Sequence, residues 1–206
     1  MTNPAKVSRL YGGVHADERR AERRLRLIEA AVQVYGRVGY RNATVKAVCE
    51  AAKLTERYFY ESFANSEALL IAAYIHVTDE LHRQMAAAGV QFTGDAAGRM
   101  RAILAVYFTR LREHPRPARV FLLEMGGIST EVDAVRMNAL KAMSALLAPP
   151  AKGATETSML SVGMVGAVIN IALRWVSQGY PQPIDEVVAT AAVFCDVALA
   201  KASGRK

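Results

Sequence analysis

TVKAVCEAAKLTERYFYESF, residues 44–63, is the stretch whose reading decides the fold. Thr44 is a good N-cap, because a threonine hydroxyl accepts a bond from one of the N–H groups that a helix start leaves without a partner. Val45, Val48, Cys49 and Ala52 then recur at helical spacing over about two turns. Lys53 and Leu54 make a turn, Thr55 is a second N-cap, and Tyr58, Phe59 and Phe63 follow with helical period. Two short helices joined by a tight turn, the second opening on polar and aromatic residues, form a helix-turn-helix. Such a second helix fits the major groove of DNA, where its first turns reach base edges and flanking groups hold phosphates. The residue types suit such contacts. Arg57 can donate to guanine or phosphate, Tyr58 and Tyr60 carry hydroxyls on rigid rings, and Thr44 and Lys46 stand where a phosphate would pass. The same pattern also fits a plain helical hairpin, with Tyr58 in a core and Cys49 as a small core filler.

The charge distribution permits the DNA reading without carrying it. The 206 residues hold 26 Lys/Arg against 19 Asp/Glu, a net +7. Residues 1–65 contribute 12 basic and 7 acidic side chains, a net +5, so the excess sits in the N-terminal third. A field of that sign attracts polyanions by counterion release, nucleic acid or anionic lipid alike. Arg19, Arg20, Arg23, Arg24 and Arg26 crowd the start of the first helix, either as phosphate contacts or as a solvated face. The preceding tail, with Lys6 and Arg9, is expected to be flexible.

Away from this stretch the apolar residues repeat with helical period, and runs of strand-like alternation are missing, which predicts an all-α protein. Breakers at Gly39, residues 64–66, Gly89 to Gly94, Pro115 and Pro117, Gly126 and Gly127, Pro149 to Gly153 and Gly179 to Pro183 divide it into about nine helices. The first spans about Ala16–Val38, three follow between Thr44 and about His82, and five apolar ones occupy about 95–113, 116–126, 130–148, 155–178 and 184–202. The uncharged run Thr157–Leu173 is 17 residues long, short of the ~20 a bilayer requires, and is read as a helix buried in protein.

The capped helix pair resembles the tetracycline-repressor (TetR) family signature. The resemblance rests on Thr44-Val45, Cys49 to Ala52, Leu54-Thr55, Phe59-Tyr60, Phe63 and the continuation NSEALL at 65–70, preceded by IEAA at 28–31 and Gly39-Tyr40, and covers about residues 20–75. It implies an N-terminal three-helix helix-turn-helix domain and a C-terminal helical ligand-binding and dimerisation domain. The expected boundaries are a basic tail at 1–18, the reader at 19–66 and the C-terminal domain at 67–206. It further implies that Thr55, Arg57, Tyr58 and Tyr60 contact DNA from the recognition helix, Thr44 and Lys46 from the helix before, and Asn65 or Ser66 as a phosphate cap. The last two helices are implied to form a four-helix homodimer interface. The sequence departs from the pattern at Lys53, where glycine is preferred, at Arg57, where a small residue is usual, and at Ser62, where histidine is common. Lys53 must then adopt positive φ at some cost or alter the turn.

The C-terminal residues offer no catalytic arrangement. His15, His76, His82 and His114 have no metal spacing, and no nucleophile elbow or phosphate-binding glycine loop is present, so neither enzyme activity, metal nor cofactor is expected. Cys49 and Cys195 lie far apart, and the first residues lack a signal-peptide core, which points to the cytoplasm. A binding role remains: a ligand-responsive regulator, most simply a repressor released from a palindromic DNA operator by a small apolar or amphipathic effector, with no membrane partner. The alternatives are a nonspecific DNA-binding protein and a helical enzyme or carrier. Effector-contact candidates are polar or polarizable residues on apolar helices: Tyr107, Arg110, Glu124, Met125, Met164, Asn170 and Trp175. Asn170 stands out, since an amide in an apolar run must bond to a neighbour or await a ligand.

Overall fold

The computed structural model describes residues 5–147 and 159–202, and divides between Ala73 and Tyr74 into two compact units. Among the described residues there are nine α-helices, one short 3-10 turn and no strand. The side chains of Lys6 and Arg9 and the expected helix start at 155–158 lie outside the described residues.

In the first unit α1 (Ala5–Val38) begins well before the start expected near Ala16. It ends where Gly39 takes φ 83°, a conformation that costs glycine little, and Gly39 N–H donates to Tyr35 O at 2.9 Å. A 3-10 turn at Tyr40–Asn42 leads to α2 (Val45–Ala52) and α3 (Glu56–Ser62). Thr44 Oγ1 accepts from Ala47 N–H at 3.1 Å, the cap the sequence predicts. Lys53 does adopt the left-handed conformation, φ 53° and ψ 45°. Its N–H bonds to Glu50 O (3.1 Å) while Leu54 N–H bonds to Cys49 O (2.9 Å), the paired reverse bonds that close a helix at its C-terminus. Leu27, Ala31, Val34 and Tyr35 of α1 are buried, as are Val48, Cys49 and Ala52 of α2, Phe59 of α3, Phe63, and Leu69, Leu70 and Ala73. The last three belong to α4 (Ser66–Gln91), which continues into the second unit.

In the second unit α5 (Ala96–Glu113) is the central helix, packed along α9 (Ile184–Ala202) and also touching α6 (Pro115–Leu123), α7 (Thr130–Leu147) and α8 (Met159–Ser177). It is apolar on most sides because it is covered on most sides: Met100, Ile103, Leu104, Tyr107, Phe108 and Leu111 are all buried. Asp95 caps it, accepting from Gly98 N–H at 2.7 Å. Pro115 opens α6, where a missing N–H costs nothing. The outer pair is less covered. Of α8 only Met164, Val165, Val168, Ala172 and Trp175 are buried within the chain, although it is the one described helix long and apolar enough to cross a membrane by length and composition. Met159 and Val162 of α8 and Val193, Phe194 and Val197 of α9 are exposed. One chain therefore does not enclose this helix in the way expected of the run at 157–173.

Candidate nucleic-acid interface and effector cleft

The α2–turn–α3 unit presents most of its polar side chains outward. Lys46, Thr55, Arg57 and Tyr60 are exposed, Tyr60 at 62% with its ring set edge-on against buried Phe59 (centroids 5.0 Å). Thr55 occupies the N-cap position of α3 without a cap bond from its side chain, unlike Thr44. Lys46 stands 4.0 Å from Glu50, and Arg57 Nε donates to Glu61 Oε1 at 2.9 Å, both across one turn. Tyr58 is half-buried, with the Arg23 guanidinium 4.6 Å from its ring centroid. Asn65, not Ser66, caps α4: its Oδ1 accepts from Ala68 N–H at 2.8 Å.

The arginines of α1 have a use that the sequence did not suggest. Arg26 Nη2 donates to Ala52 O at 2.6 Å and reaches Lys53 O at 3.4 Å, placing a cation at the C-terminal end of α2 where carbonyls lack helical partners. Arg24 does the same for α3, with Nη1 on Ser62 O at 2.6 Å and its guanidinium 4.1 Å from the Phe63 centroid. Two of the five arginines read as phosphate contacts or solvated face are thus internal clamps on the two reader helices. Arg20 pairs with Asp17 at 3.7 Å.

In the second unit the predicted effector residues scatter. Tyr107 is wholly buried, its hydroxyl has no hydrogen-bond partner, and burial pushes its pKa far up. Met125 and Met164 are buried core. Arg110 pairs with Glu113 (3.4 Å) and Glu124 with Arg119 (2.9 Å). Trp175 is buried with Nε1 donating to Gln182 O at 3.0 Å. Asn170 is exposed, and its Nδ2 donates to Gly166 O of the same helix at 2.8 Å, so the reasoning from a buried amide does not apply to it. Aromatic contacts join Tyr107 to Trp175 through Phe108, with centroids 5.0 and 5.7 Å apart, and Tyr107 to Tyr74 through Phe121, at 6.2 and 6.1 Å.

A cleft of about 280 Å³ between α4 and α7 is not foreshadowed by the sequence. Tyr74, Ile75, Thr78, Asp79 and His82 line one wall and Val135, Asn138, Ala139 and Ala142 the other. The His82 Nε2 and Arg136 Nε atoms are buried without partners, as is the Tyr107 hydroxyl. Burial holds His82 below the usual imidazole range, opposed by Asp79, and raises Tyr74 to about 12, opposed by Arg136. Sequence reasoning missed this cleft because His82 and Asn138 are ordinary surface types. Only the packing places them at a gap. Among the described residues no group of His, Cys, Asp and Glu is arranged to hold a metal.

Residues 27–73, which include both reader helices, match the model for bacterial regulatory proteins of the tetR family. That segment of the chain is therefore similar to the DNA-binding part of the family. The matched residues contain the whole α2–turn–α3 unit, the helix-turn-helix described above. Solved structures share the fold at low identity. The fatty acid degradation regulator FadR from Bacillus halodurans matches with TM-score 0.71 and 20% identity over 84% of this chain and 94% of its own. FadR from Bacillus subtilis, in complex with stearoyl-CoA, matches with TM-score 0.68 and 18% identity over 85% and 97%. A putative transcriptional regulator from Pseudomonas aeruginosa PAO1 matches with TM-score 0.70 and 19% identity over 90% and 94%. No curated protein matches the chain in sequence.

Proposed function

We propose that this protein is a cytoplasmic TetR-type repressor that reads a palindromic operator as a homodimer and releases it when a small apolar or amphipathic effector binds the second unit. The observation that supports this most is the clamped α2–turn–α3 unit carrying exposed Thr44, Lys46, Thr55, Arg57 and Tyr60. These residues, with Tyr58 at the edge of the set and Asn65 and Ser66 at the start of α4, are the proposed DNA contacts. The second copy would cover the exposed apolar side chains of α8 and α9, and a two-fold axis there sets two recognition helices about one DNA turn, ~34 Å, apart. Gly163 and Gly166 on α8 suit close approach of the partner, since a Cβ at either would meet nothing within 4 Å in one chain.

The effector would occupy the α4–α7 cleft. Each buried polar atom without a partner costs about 1–3 kcal/mol, a cost that a ligand group reaching His82, which lines the cleft, would remove. At about 280 Å³ the cleft is at the small end of ligand sites, which run from ~300 to 1,000 Å³. A long-chain acyl thioester of the kind bound by the Bacillus subtilis relative would need it to open, whereas a compact amphipathic ligand would not. Operator release then extends only as far as the ligand prefers the DNA-incompetent state.

Selection from a random duplex pool, followed by footprinting, tests the proposal. A palindrome with two protected half-sites is expected, with Tyr60→Phe and Lys46→Ala each weakening binding about fivefold, the loss of ~1 kcal/mol per contact, at unchanged melting temperature. Phe194→Lys should yield monomers that bind one half-site weakly. Normal binding by both contact variants, or a dimer unaffected by the lysine, overturns the corresponding assignment.

A further inference from the structure

The Arg57–Glu61 pair has a geometry that helix stability does not explain. In an isolated helix the favourable order sets the acid N-terminal to the base, with the helix dipole, and here the base comes first. An exposed pair across one turn contributes little stability in any case, and the Arg57 side chain is 84% exposed. What the pair does fix is direction. Glu61 takes the Nε–H of Arg57 at 2.9 Å, leaving the two terminal nitrogens of the guanidinium as an outward fork. That end-on fork is the donor pair that meets O6 and N7 of guanine in the major groove.

We infer that Glu61 is a positioning residue that sets Arg57 to read one guanine in each half-site. This rests on the proposed operator reading. An arginine left alone samples many rotamers and loses entropy when it settles on a base edge, while an arginine held at Nε has settled part of it beforehand. The carboxylate also discriminates. It lies on the reading helix of a protein that approaches a polyanion, so its repulsion is offset only when the guanidinium stays between it and the DNA. Loss of the acid therefore leaves net attraction intact and blurs the choice of base. A simple repulsive acid, by contrast, would weaken all sequences equally.

The test is selection from a random 20-base-pair duplex pool with wild type, Arg57→Ala, Glu61→Ala and Glu61→Gln, each first checked by melting temperature and helicity. Arg57→Ala is expected to lower preference for one guanine per half-site roughly ten- to a hundredfold, leaving other positions unchanged. Glu61→Ala should lower preference at that same base about three- to tenfold while affinity for an unrelated duplex holds or rises. Glu61→Gln, which keeps an oxygen to accept from Nε, should recover most of it. The inference is overturned if Glu61→Ala leaves the base preferences intact, tightens every sequence equally, or alters a position other than the one Arg57→Ala alters. If wild type enriches no motif, the operator reading itself fails and takes the inference with it. If it enriches a motif without an Arg57-dependent guanine, only the inference fails.

Discussion

Replacing Lys53 by glycine should stabilise this protein, although it deletes a charge and every contact of a four-carbon side chain. Lys53 sits at φ 53° and ψ 45°, where an L-residue's Cβ crowds the following carbonyl at a cost of about 1–2 kcal/mol. Glycine removes that strain and loses about 0.5–1 kcal/mol through the greater freedom of its unfolded chain. The difference leaves a net gain of about 0.5–1 kcal/mol, equivalent to roughly 1–4 °C for a chain of this length. The bonds that close α2 come from the backbone N–H groups of residues 53 and 54, and so survive the change. Urea denaturation followed by far-ultraviolet circular dichroism measures the effect, with Lys53→Ala as the decisive control. Alanine deletes the same charge and keeps the Cβ, so it should show no comparable gain. If alanine stabilises as much as glycine, the cause is the charge and the strain argument is wrong; if glycine destabilises, the turn does not carry the strain at all.

Arg26→Ala should destabilise the first unit by about 1–2 kcal/mol, because a charged bond to the α2 carbonyls is lost from a half-buried position; a loss of DNA affinity at unchanged urea midpoint would return Arg26 to the phosphate contacts. His82 makes stability depend on pH. Its folded pKa lies below the 6.5 of the unfolded chain, so the unfolded state binds more protons as pH falls. Its contribution is complete above about pH 6.5 and declines below it, by at most ~1.4 kcal/mol per pH unit. Melting temperatures between pH 7.5 and 5.5 should fall less steeply for His82→Gln than for wild type, and parallel curves would refute the assignment. Tyr180 holds φ 62° yet ties its hydroxyl to Leu111 O at 3.2 Å. Tyr180→Gly, unlike the change at Lys53, should therefore lower the melting temperature.

Local chemistry made the reader legible. Thr44 caps α2, Gly39 ends α1, and Lys53 takes the conformation that a tight turn demands of whatever residue stands there. These are decided within four or five residues of chain. Partners across the fold were not legible. Arg24 and Arg26 look like any basic run, and their use at the ends of α2 and α3 exists only once residues 26 and 38 positions away have come alongside. In the second unit Pro115 and Gly179 marked helix limits, whereas α6 stops at Leu123, short of Gly126, and the effector candidates did not follow from the sequence. Asn170 has apolar neighbours in the chain, yet α8 turns its side chain outward. The α4–α7 cleft arises where two helices stand apart, a property of spacing that no single residue encodes.

The lone tryptophan has a practical consequence. Trp175 is enclosed between Phe108 and Tyr180, edge to face at 5.7 and 5.0 Å, with its indole N–H on Gln182 O. The first unit contains tyrosines and no tryptophan. Emission excited above the tyrosine band therefore comes from the second unit alone and should be blue-shifted while that unit is folded. Far-ultraviolet ellipticity, by contrast, reports all the helices. Recording both along one denaturation curve separates the melting of the second unit from that of the DNA-reading half, without a label or a substitution.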